Sequence, residues 1–298
     1  MRNFTIKGLF LAELFMVLGC LSIKAAADEG LITKQITIKL EKAGTLPDKI
    51  GSTKKFQITN LKIIGEINGT DLRMIREMAG KDVRGNDTDG MLSVLDLSDA
   101  KIVEGGDYYY IHYPYYSTSN DKIGDYTFYG CSVLTSLTLP SGVTSIGNDA
   151  FAACSGLTSI TLPSGVTSIG NVAFAACRGL TSITLPSGVT KIGYSAFAGC
   201  SGLTRLTLPS GVTSIGNYAF EYCSGLTSIT LPSGLTEIGD DAFYSCSGLT
   251  SIYVYTEKLP DMGVTFLMAA MQKNVLFTFQ KELMMIIGFL NLVILRTS

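Results

Sequence analysis

The sequence predicts an α/β-type solenoid, a coil of 23-residue repeats with short parallel strands, preceded by a small amino-terminal α+β cap. Two periodic series carry this prediction: a cysteine recurs every 23 residues from Cys131 to Cys246, and a leucine recurs at the same interval from Leu134 to Leu249. The residues before the repeats follow a different pattern. A fixed period of this length is typical of solenoids, in which each repeat packs mainly on its neighbours.

One repeat, Leu157 to Gly179, contains every expected part of a coil. Its Leu-x-x-Ile-x-Leu start predicts a short strand, Pro163-Ser164-Gly165 predicts a turn, and Val166 to Ile169 predicts a second extended piece. Ala173 to Cys177 is expected to close the coil with a helical turn. Stacking places equivalent side chains about 4.8 Å apart, so the core is expected to be a ladder of identical residues.

Two residue types dominate this structural ladder. The expected ladder residues are Cys131, Cys154, Cys177, Cys200, Cys223 and Cys246 with Phe151, Phe174, Phe197, Phe220 and Phe243. Disulfides are one interpretation of the cysteines, since stacked Cα atoms about 4.8 Å apart fall within bridging range. Equivalent side chains in a ladder point the same way into the core, which favours buried free thiols.

The first repeat, residues 91–133, is irregular. It opens at Leu92, and the interval from there to Leu134 is one period plus 19. The insertion lies between about Glu104 and Asn120 and is rich in tyrosine. Its aromatic residues are Tyr108, Tyr109, Tyr110, His112, Tyr113, Tyr115 and Tyr116. Regular repeats follow over residues 134–261.

Residues 28–90 are predicted to cap the open first coil. Ile36, Ile38 and Leu40 alternate as in a strand, Phe56 to Ile67 gives a second β-like segment, and Asp71 to Ala79 has the spacing of a short amphipathic helix ended by Gly80. A cap has a structural reason to exist because a solenoid's first coil otherwise exposes its core.

Composition excludes several classes of function. The formal net charge is -2 and the isoelectric point is near 5.5, which argues against nucleic acid and anionic membranes as partners. The chain contains a single histidine, His112, which removes most histidine-based catalysis and metal binding.

Residues 1–27 have the pattern of an export signal. Arg2 and Lys7 precede a largely apolar segment from Leu9 to Ile23, and Ala25-Ala26-Ala27 offers a cleavage site before Asp28. Cleavage before Cys20 with lipid attachment is the alternative, although Glu13 does not suit it. We therefore expect an exported protein, secreted or on the outer cell surface, with a lipid anchor at Cys20 as the second option.

The repeat Leu-Thr-Ser-Ile-Thr-Leu-Pro-Ser-Gly-Val-Thr-Ser-Ile-Gly-x-x-Ala-Phe-x-x-Cys resembles the BspA-like leucine-rich-repeat family of bacterial surface and secreted proteins. The resemblance spans Leu92 to about Asp261. It implies a right-handed leucine-rich-repeat coil and a role in adhesion or recognition at the cell surface, including host matrix proteins for some members. The family motif contains no catalytic residues, so none carry over.

The outward positions of the predicted strands form a Ser/Thr stripe. Either the stripe is a hydroxyl-rich recognition surface, or it reflects solvated residues chosen for β propensity, which is the interpretation we favour. Arg205 and Tyr253 interrupt it, and both residue types are enriched where binding energy concentrates.

The tyrosine-rich insertion is the most distinctive patch in the sequence. Several tyrosines in a loop with Gly105, Gly106 and Pro114 resemble the composition of antibody binding sites. The alternative is that the rings pack on the first coil as an edge cover. The ligand-binding candidates are therefore Tyr108, Tyr109, Tyr110, His112, Tyr113, Tyr115, Tyr116, Arg205 and Tyr253.

No pattern for enzyme chemistry is present. The sequence has no nucleophile motif, phosphate-binding loop or zinc signature, so we expect neither catalytic residues nor a metal or cofactor. Asn86 to Gly90 has some features of a calcium loop but lacks the spaced carboxylates, which favours a turn.

The tail, residues 262–298, is predicted to be aberrant. Its hydrophobic stretch from Leu283 to Leu295 contains Asn291 and is too short to span a bilayer. We favour a frameshift near Phe266, because an adjacent reading frame can restore a cysteine 23 residues after Cys246. The nucleotide sequence around codon 266 tests this.

The sequence as a whole favours non-catalytic recognition or adhesion, with an extracellular or host protein or a glycan as partner. The alternative is a structural, self-associating repeat protein of the envelope or matrix. Self-association of the purified protein would distinguish the two.

Overall fold

A computed structural model describes residues 30–255, 260–262 and 276–279, which form a parallel β-solenoid as predicted. The proposed signal segment, Cys20 and most of the tail lie outside the described residues. In the part of the chain that is described, no helix combines the length and apolar character needed to cross a bilayer.

The amino-terminal cap continues the solenoid sheet instead of merely covering it. Strand β1 (Ile36–Leu40) pairs in parallel with β2 (Asn60–Ile67), which pairs in parallel with β3 (Val94–Ile102). The predicted strand alternation is confirmed. A short helix, α1 (Leu46–Ile50), links the first two strands and was not predicted.

Helix α2 (Gly69–Met78) follows β2 and corresponds to the predicted amphipathic helix. Asn68 caps it: its side-chain oxygen accepts from the Thr70 backbone N–H at 3.0 Å, and Asp71 accepts from the Asn68 N–H at 2.9 Å. This reciprocal cap satisfies donors that a helix start leaves free. Leu72, Ile75 and Met78 of α2 are buried, as their spacing predicted.

The insertion of the irregular first repeat forms an antiparallel hairpin of β4 (Gly105–Ile111) and β5 (Tyr115–Thr118). We number the coils from this repeat, so that coil 1 is residues 92–133, and each following coil adds 23 residues from Leu134 onward. Coil 7 opens at Leu249.

Each regular coil contributes one strand to each of two sides of the solenoid, called here the first and second sheets. The second is continuous, and the first is divided in two between coils 3 and 4. The second-sheet strands are β6 (Lys122–Ile123), β8 (Ser145–Ile146), β10 (Ser168–Ile169), β12 (Lys191–Ile192), β14 (Ser214–Ile215), β16 (Glu237–Ile238) and β18 (Asp261–Met262). The first-sheet strands are β7 (Ser136–Thr138), β9 (Ser159–Thr161), β11 (Ser182–Thr184), β13 (Arg205–Thr207), β15 (Ser228–Leu231) and β17 (Ser251–Val254).

The third side of each coil is a turn and not the predicted helical turn at Ala173 to Cys177. The N–H groups of Val172, Phe174 and Ala176 donate to carbonyls of the next coil at 2.7–2.8 Å, while Ala175 and Cys177 donate within the turn. A helical turn would satisfy its donors internally and would leave no bonds between coils. In the observed turn, N–H groups that donate to the next coil alternate with N–H groups that donate within the turn, so both groups of donors are satisfied and the coils are joined. The helix prediction was therefore wrong.

The interior is a single core that runs from the cap through the coils. The stacked phenylalanine rings, from Phe128 to Phe243, have centroids 5.1–5.6 Å apart and nearly parallel planes. The six repeat cysteines are buried and unbridged. Five of them donate Sγ–H to the phenylalanine carbonyl 26 residues earlier, for example Cys177 to Phe151 at 3.1 Å. These thiols therefore act as small apolar residues with a satisfied donor.

The repeat register loosens beyond coil 6. Strand β18 pairs Met262 with Ile238, a step one position longer than the repeat period, and so crosses the predicted boundary after residue 261. Within the tail, β19 (Leu276–Phe279) pairs in parallel with β17, with Leu276 opposite Ser251, a step two positions longer than the period. Part of the segment predicted to be aberrant thus adds a strand to the stack.

Candidate binding surfaces

The hairpin is held against the cap by close backbone contacts. A side chain at Gly69 would place its Cβ 1.9 Å from the Asp107 carbonyl oxygen, and one at Gly106 would place it 2.4 Å from Asn68 Oδ1. The Asp107 N–H also donates to Thr70 Oγ1 at 3.0 Å. The start of α2 therefore fixes the base of the hairpin.

Two of the candidate ligand-binding tyrosines are part of the core. Tyr109 is 1% exposed and donates its hydroxyl to the Asp125 carbonyl at 2.9 Å; Tyr110 is 6% exposed. The prediction that these two rings bind a ligand is therefore corrected: they pack on coil 1 as an edge cover. Burial is also the main reason that the pKa of Tyr109 rises to about 12.

Arg76 joins helix, hairpin and coil 1 at the centre of this packing. Its buried guanidinium donates to the carbonyls of Tyr126 at 2.9 Å and Thr127 at 3.0 Å, and it lies 4.8 Å from the centre of the Tyr110 ring. A charge buried this deeply requires such partners. Arg76 therefore holds the hairpin in one orientation.

A group of aromatic rings surrounds Tyr110. Tyr126 stacks on it at 5.2 Å, Tyr129 lies at 5.9 Å, and Tyr116 packs on Tyr126 at 4.9 Å. Burial is the largest cause that raises the pKa of Tyr126 to about 12, followed by the nearby negative charge of Asp149. Tyr116 is half-buried, so it mainly supports the group instead of presenting a free ring.

The other side of the hairpin faces solvent. Tyr108 is 49% exposed, Tyr115 58% and Tyr113 92%, and His112 is also exposed. Tyr108 and Tyr115 form a cross-strand pair with ring centres 5.2 Å apart. The predicted residues thus fall into a buried group and an exposed group. The split does not follow simple strand alternation, since the buried Tyr109 and Tyr110 are consecutive and the pairing of the two strands is irregular between Gly105 and Tyr110.

The predicted Ser/Thr stripe lies on the first sheet, and its side chains are exposed or half-exposed. Arg205 lies in β13 between Ser182 and Ser228, and Tyr253 lies in β17 beside Thr230. Arg205 is four coils and Tyr253 six coils from coil 1, roughly 20 and 30 Å at the strand spacing. The structure therefore does not bring them together with the hairpin tyrosines.

A second aromatic surface lies on the turn side of coils 4 to 6 and was not predicted. Its residues, the carboxy-terminal tyrosine cluster, are Tyr194, Tyr218, Tyr222 and Tyr244. Tyr194 and Tyr218 meet edge to face at 5.6 Å, as do Tyr222 and Tyr244 at 5.9 Å. These rings occupy variable positions of the repeat, where most other coils have small or polar residues, and that departure was the available signal.

A groove of about 420 Å³ crosses the cap between α1 and α2. Lys55 and Glu77, which line it, are already paired at 2.5 Å, and Arg73 lies 3.9 Å from the same carboxylate. The described residues contain no cluster of side chains that could hold a metal ion. We assign the groove no ligand.

The periodic cysteine, phenylalanine and leucine ladders and the two short strands per coil define the repeat. The family described as BspA type Leucine rich repeat region matches residues 121–250 in six copies. This region belongs to the BspA-type leucine-rich repeat family. No curated protein sequence matches the chain.

Several solved leucine-rich repeat structures are similar to the BspA-type region. The T. pallidum leucine-rich repeat protein is 35% identical over 46% of this chain and 66% of its own length, with a TM-score of 0.44. A leucine-rich cell surface protein from Faecalibacterium prausnitzii is 33% identical over 54% of this chain and 47% of its own, with a TM-score of 0.39. A Bacteroides ovatus leucine-rich repeat protein is 20% identical over 85% of this chain and 75% of its own length, with a TM-score of 0.40. The chain therefore spans less than two thirds of the length of the T. pallidum and F. prausnitzii proteins.

Proposed function

We propose that this chain is a non-catalytic recognition protein, exported to the cell surface or secreted, which binds an extracellular protein or a glycan through the hairpin. The observation that carries the proposal is the exposed face of the hairpin: Tyr108, Tyr113 and Tyr115 project into solvent from strands that are locked onto the cap. Soluble proteins rarely expose clustered large rings without a binding role.

The rigid support of the hairpin favours this use of the rings. Tyr109, Tyr110 and Arg76 hold the buried side in one conformation, so little conformational entropy is lost when the exposed side binds. Export agrees with the sequence before Asp28, and the F. prausnitzii relative is described as a cell surface protein. The BspA-type repeats supply the rigid scaffold.

The test is a glycan and matrix-protein array probed with the full chain and with the double variant Tyr108→Ser, Tyr115→Ser. Each lost ring is expected to weaken binding by about 1 kcal/mol or more. Tyr255→Ser is the matched control, because Tyr255 is 45% exposed, much like Tyr108, but lies after β17 in coil 7, away from the hairpin in coil 1. Unchanged signals for the double variant, with a normal melting temperature, would exclude the hairpin as the binding site.

A further inference from the structure

We infer that the carboxy-terminal tyrosine cluster, with the carboxylates of Glu221 and Asp240, binds lysine and arginine side chains of a basic segment in a partner protein. This site is distinct from the hairpin, since Tyr194 to Tyr244 lie three to five coils further along the turn side. It stands or falls independently of the function proposed above.

The rings are arranged to receive a cation. Tyr194 is 49% exposed, Tyr222 55% and Tyr244 45%. Because both ring pairs meet edge to face, with interplanar angles of 74° and 82°, the rings do not cover each other as a parallel stack would. The negative face of a phenol ring attracts ammonium and guanidinium groups within about 6 Å of its centre.

Carboxylates add charge at the same place. Glu221 lies between Tyr218 and Tyr222 in coil 5, and Asp240 follows in coil 6, where its N–H donates to Asn217 Oδ1 at 3.1 Å. Asp241, Asp240 and Glu221 all raise the pKa of Tyr218 by repulsion, with Asp241 the largest cause. Burial and Asp241 raise the pKa of Glu221. Glu221 and Asp240 therefore place negative charge near the Tyr218 ring.

No basic side chain of the described residues forms an ion pair with Glu221 or Asp240: the ion pairs found there all join residues between Lys39 and Lys101. A guanidinium or ammonium group from outside would supply the missing positive charge. Charge complementarity thus selects a basic partner over an anionic one, which these carboxylates repel, and over a neutral glycan, which gains nothing from their charge.

The spacing suits a peptide partner. The two ring pairs lie one coil apart along the solenoid, and Tyr218 and Tyr222 are four residues apart along the turn. A peptide with several basic side chains can therefore place a cation on each pair.

The backbone allows a test that does not depend on destabilising the fold. Tyr218 and Tyr222 adopt left-handed conformations, with φ of 58° and 56°. In other coils the position equivalent to Tyr218 is occupied by Asp149 or Asp241, and the position equivalent to Tyr222 is occupied by Gly130 or Gly199. Because Asn and Gly adopt this conformation at lower cost, Tyr218→Asn and Tyr222→Gly are expected to fold at least as well as the parent chain.

The experiment measures fluorescence anisotropy of labelled octa-arginine with the full chain. The double variant Tyr218→Asn, Tyr222→Gly is expected to weaken binding about tenfold. The double variant Glu221→Gln, Asp240→Asn is expected to weaken binding by a similar factor and to make the affinity less dependent on salt concentration. Matched controls are Val172→Asn with Ala176→Gly, the same backbone positions in coil 3, and Asp89→Asn on the cap. These are expected to bind octa-arginine like the parent.

The inference would be overturned by octa-arginine binding that both cluster variants leave unchanged, by equal binding of octa-glutamate, or by no binding of octa-arginine. The hairpin variant Tyr108→Ser, Tyr115→Ser is included in the same assay. If it alone reduces octa-arginine binding, the cation site belongs to the hairpin and the present assignment is wrong.

Discussion

Left-handed backbone positions recur twice in each of coils 1 to 6, four residues apart. In coil 3 they are Val172, with φ 59°, and Ala176, with φ 57°; the equivalents of Ala176 in coils 1 and 4 are Gly130 and Gly199. A residue with a Cβ pays roughly 1–2 kcal/mol for this conformation. The cost is tolerated because, in coils 1 to 5, the N–H of each left-handed residue donates to a carbonyl of the next coil.

Neighbouring alanines of coil 3 give a sensitive test of this geometry. Ala176→Gly is expected to stabilise the chain by about 0.5–1 kcal/mol, because glycine relieves the left-handed strain. Ala175→Gly, at a position without positive φ, is expected to destabilise it by about the same amount. Thermal unfolding of the two variants measures the difference. Shifts of the same sign would refute the turn geometry.

The cysteine ladder predicts how stability responds to alkaline pH. Burial raises the pKa of the Cys154 and Cys177 thiols well above 9.0 and that of Cys200 to about 12. In the unfolded chain these thiols ionise from pH 9 upward, whereas the folded chain keeps their protons. The stabilisation is therefore complete below pH 9 and is lost as the pH rises from there toward the folded-state pKa values.

Each such thiol costs about 1.4 kcal/mol per pH unit above 9. Melting temperatures measured from pH 7 to 10.5 should therefore fall steeply. The variant Cys154→Ala, Cys177→Ala should be less stable at pH 7 but show a shallower decline. Identical slopes for the two proteins would mean that the thiols do not contribute in this way.

At the level of elements, the hairpin depends on one glycine of the cap. A Cβ at Gly69 would collide with the Asp107 carbonyl. Gly69→Ala is therefore expected to lift the hairpin base and destabilise the chain by about 1–3 kcal/mol. Gly30→Ala is the control, because its nearest contact would be 4.0 Å away. Hydrogen exchange at Ile111, whose N–H donates to Val83 at 2.7 Å, reports on the docking. Unchanged exchange at Ile111 in the Gly69→Ala variant would contradict the prediction that the close contact at Gly69 holds the hairpin base.

Periodicity predicted the elements that depend on local pattern: the two strands per coil, the cap strands and helix α2. It failed where a choice depends on neighbouring coils. Ala173 to Cys177 has the composition of a helix, yet bonds to coil 4 select an alternating turn. Likewise, nothing in the composition of the insertion separates Tyr109 from Tyr108. Tyr109 is buried because it packs in the core and its hydroxyl reaches the Asp125 carbonyl, which depends on how the hairpin docks on coil 1.

At the level of the whole molecule, each coil packs on equivalents that lie one repeat period away in either direction. Deleting residues 157–179 should therefore leave a folded, shorter solenoid, because the pairings on either side, β7 with β9 and β11 with β13, both step by one full period. Deleting residues 166–177 instead removes β10 together with Phe174 and Cys177, so the shortened coil 3 can fill neither the second sheet nor the phenylalanine and cysteine ladders. Circular dichroism and thermal melting should show cooperative unfolding only for the first deletion; equal melting of both would refute the register.

Near-identical coils present near-identical surfaces, so specificity is expected where the repeat is interrupted. The exposed half of the hairpin is one such place, and the carboxy-terminal tyrosine cluster is another. The strand face, represented by Thr161 and Thr184, is an exposed surface of small hydroxyl side chains that Arg205 and Tyr253 interrupt.

The most direct measurement compares two variants on one array of glycans and matrix proteins. One carries Tyr108→Ser and Tyr115→Ser in the hairpin, and the other carries Thr161→Lys and Thr184→Lys on the strand face. We predict that the hairpin variant loses the parent's signals and that the strand-face variant keeps them. Loss in the strand-face variant with retention in the hairpin variant would contradict the account.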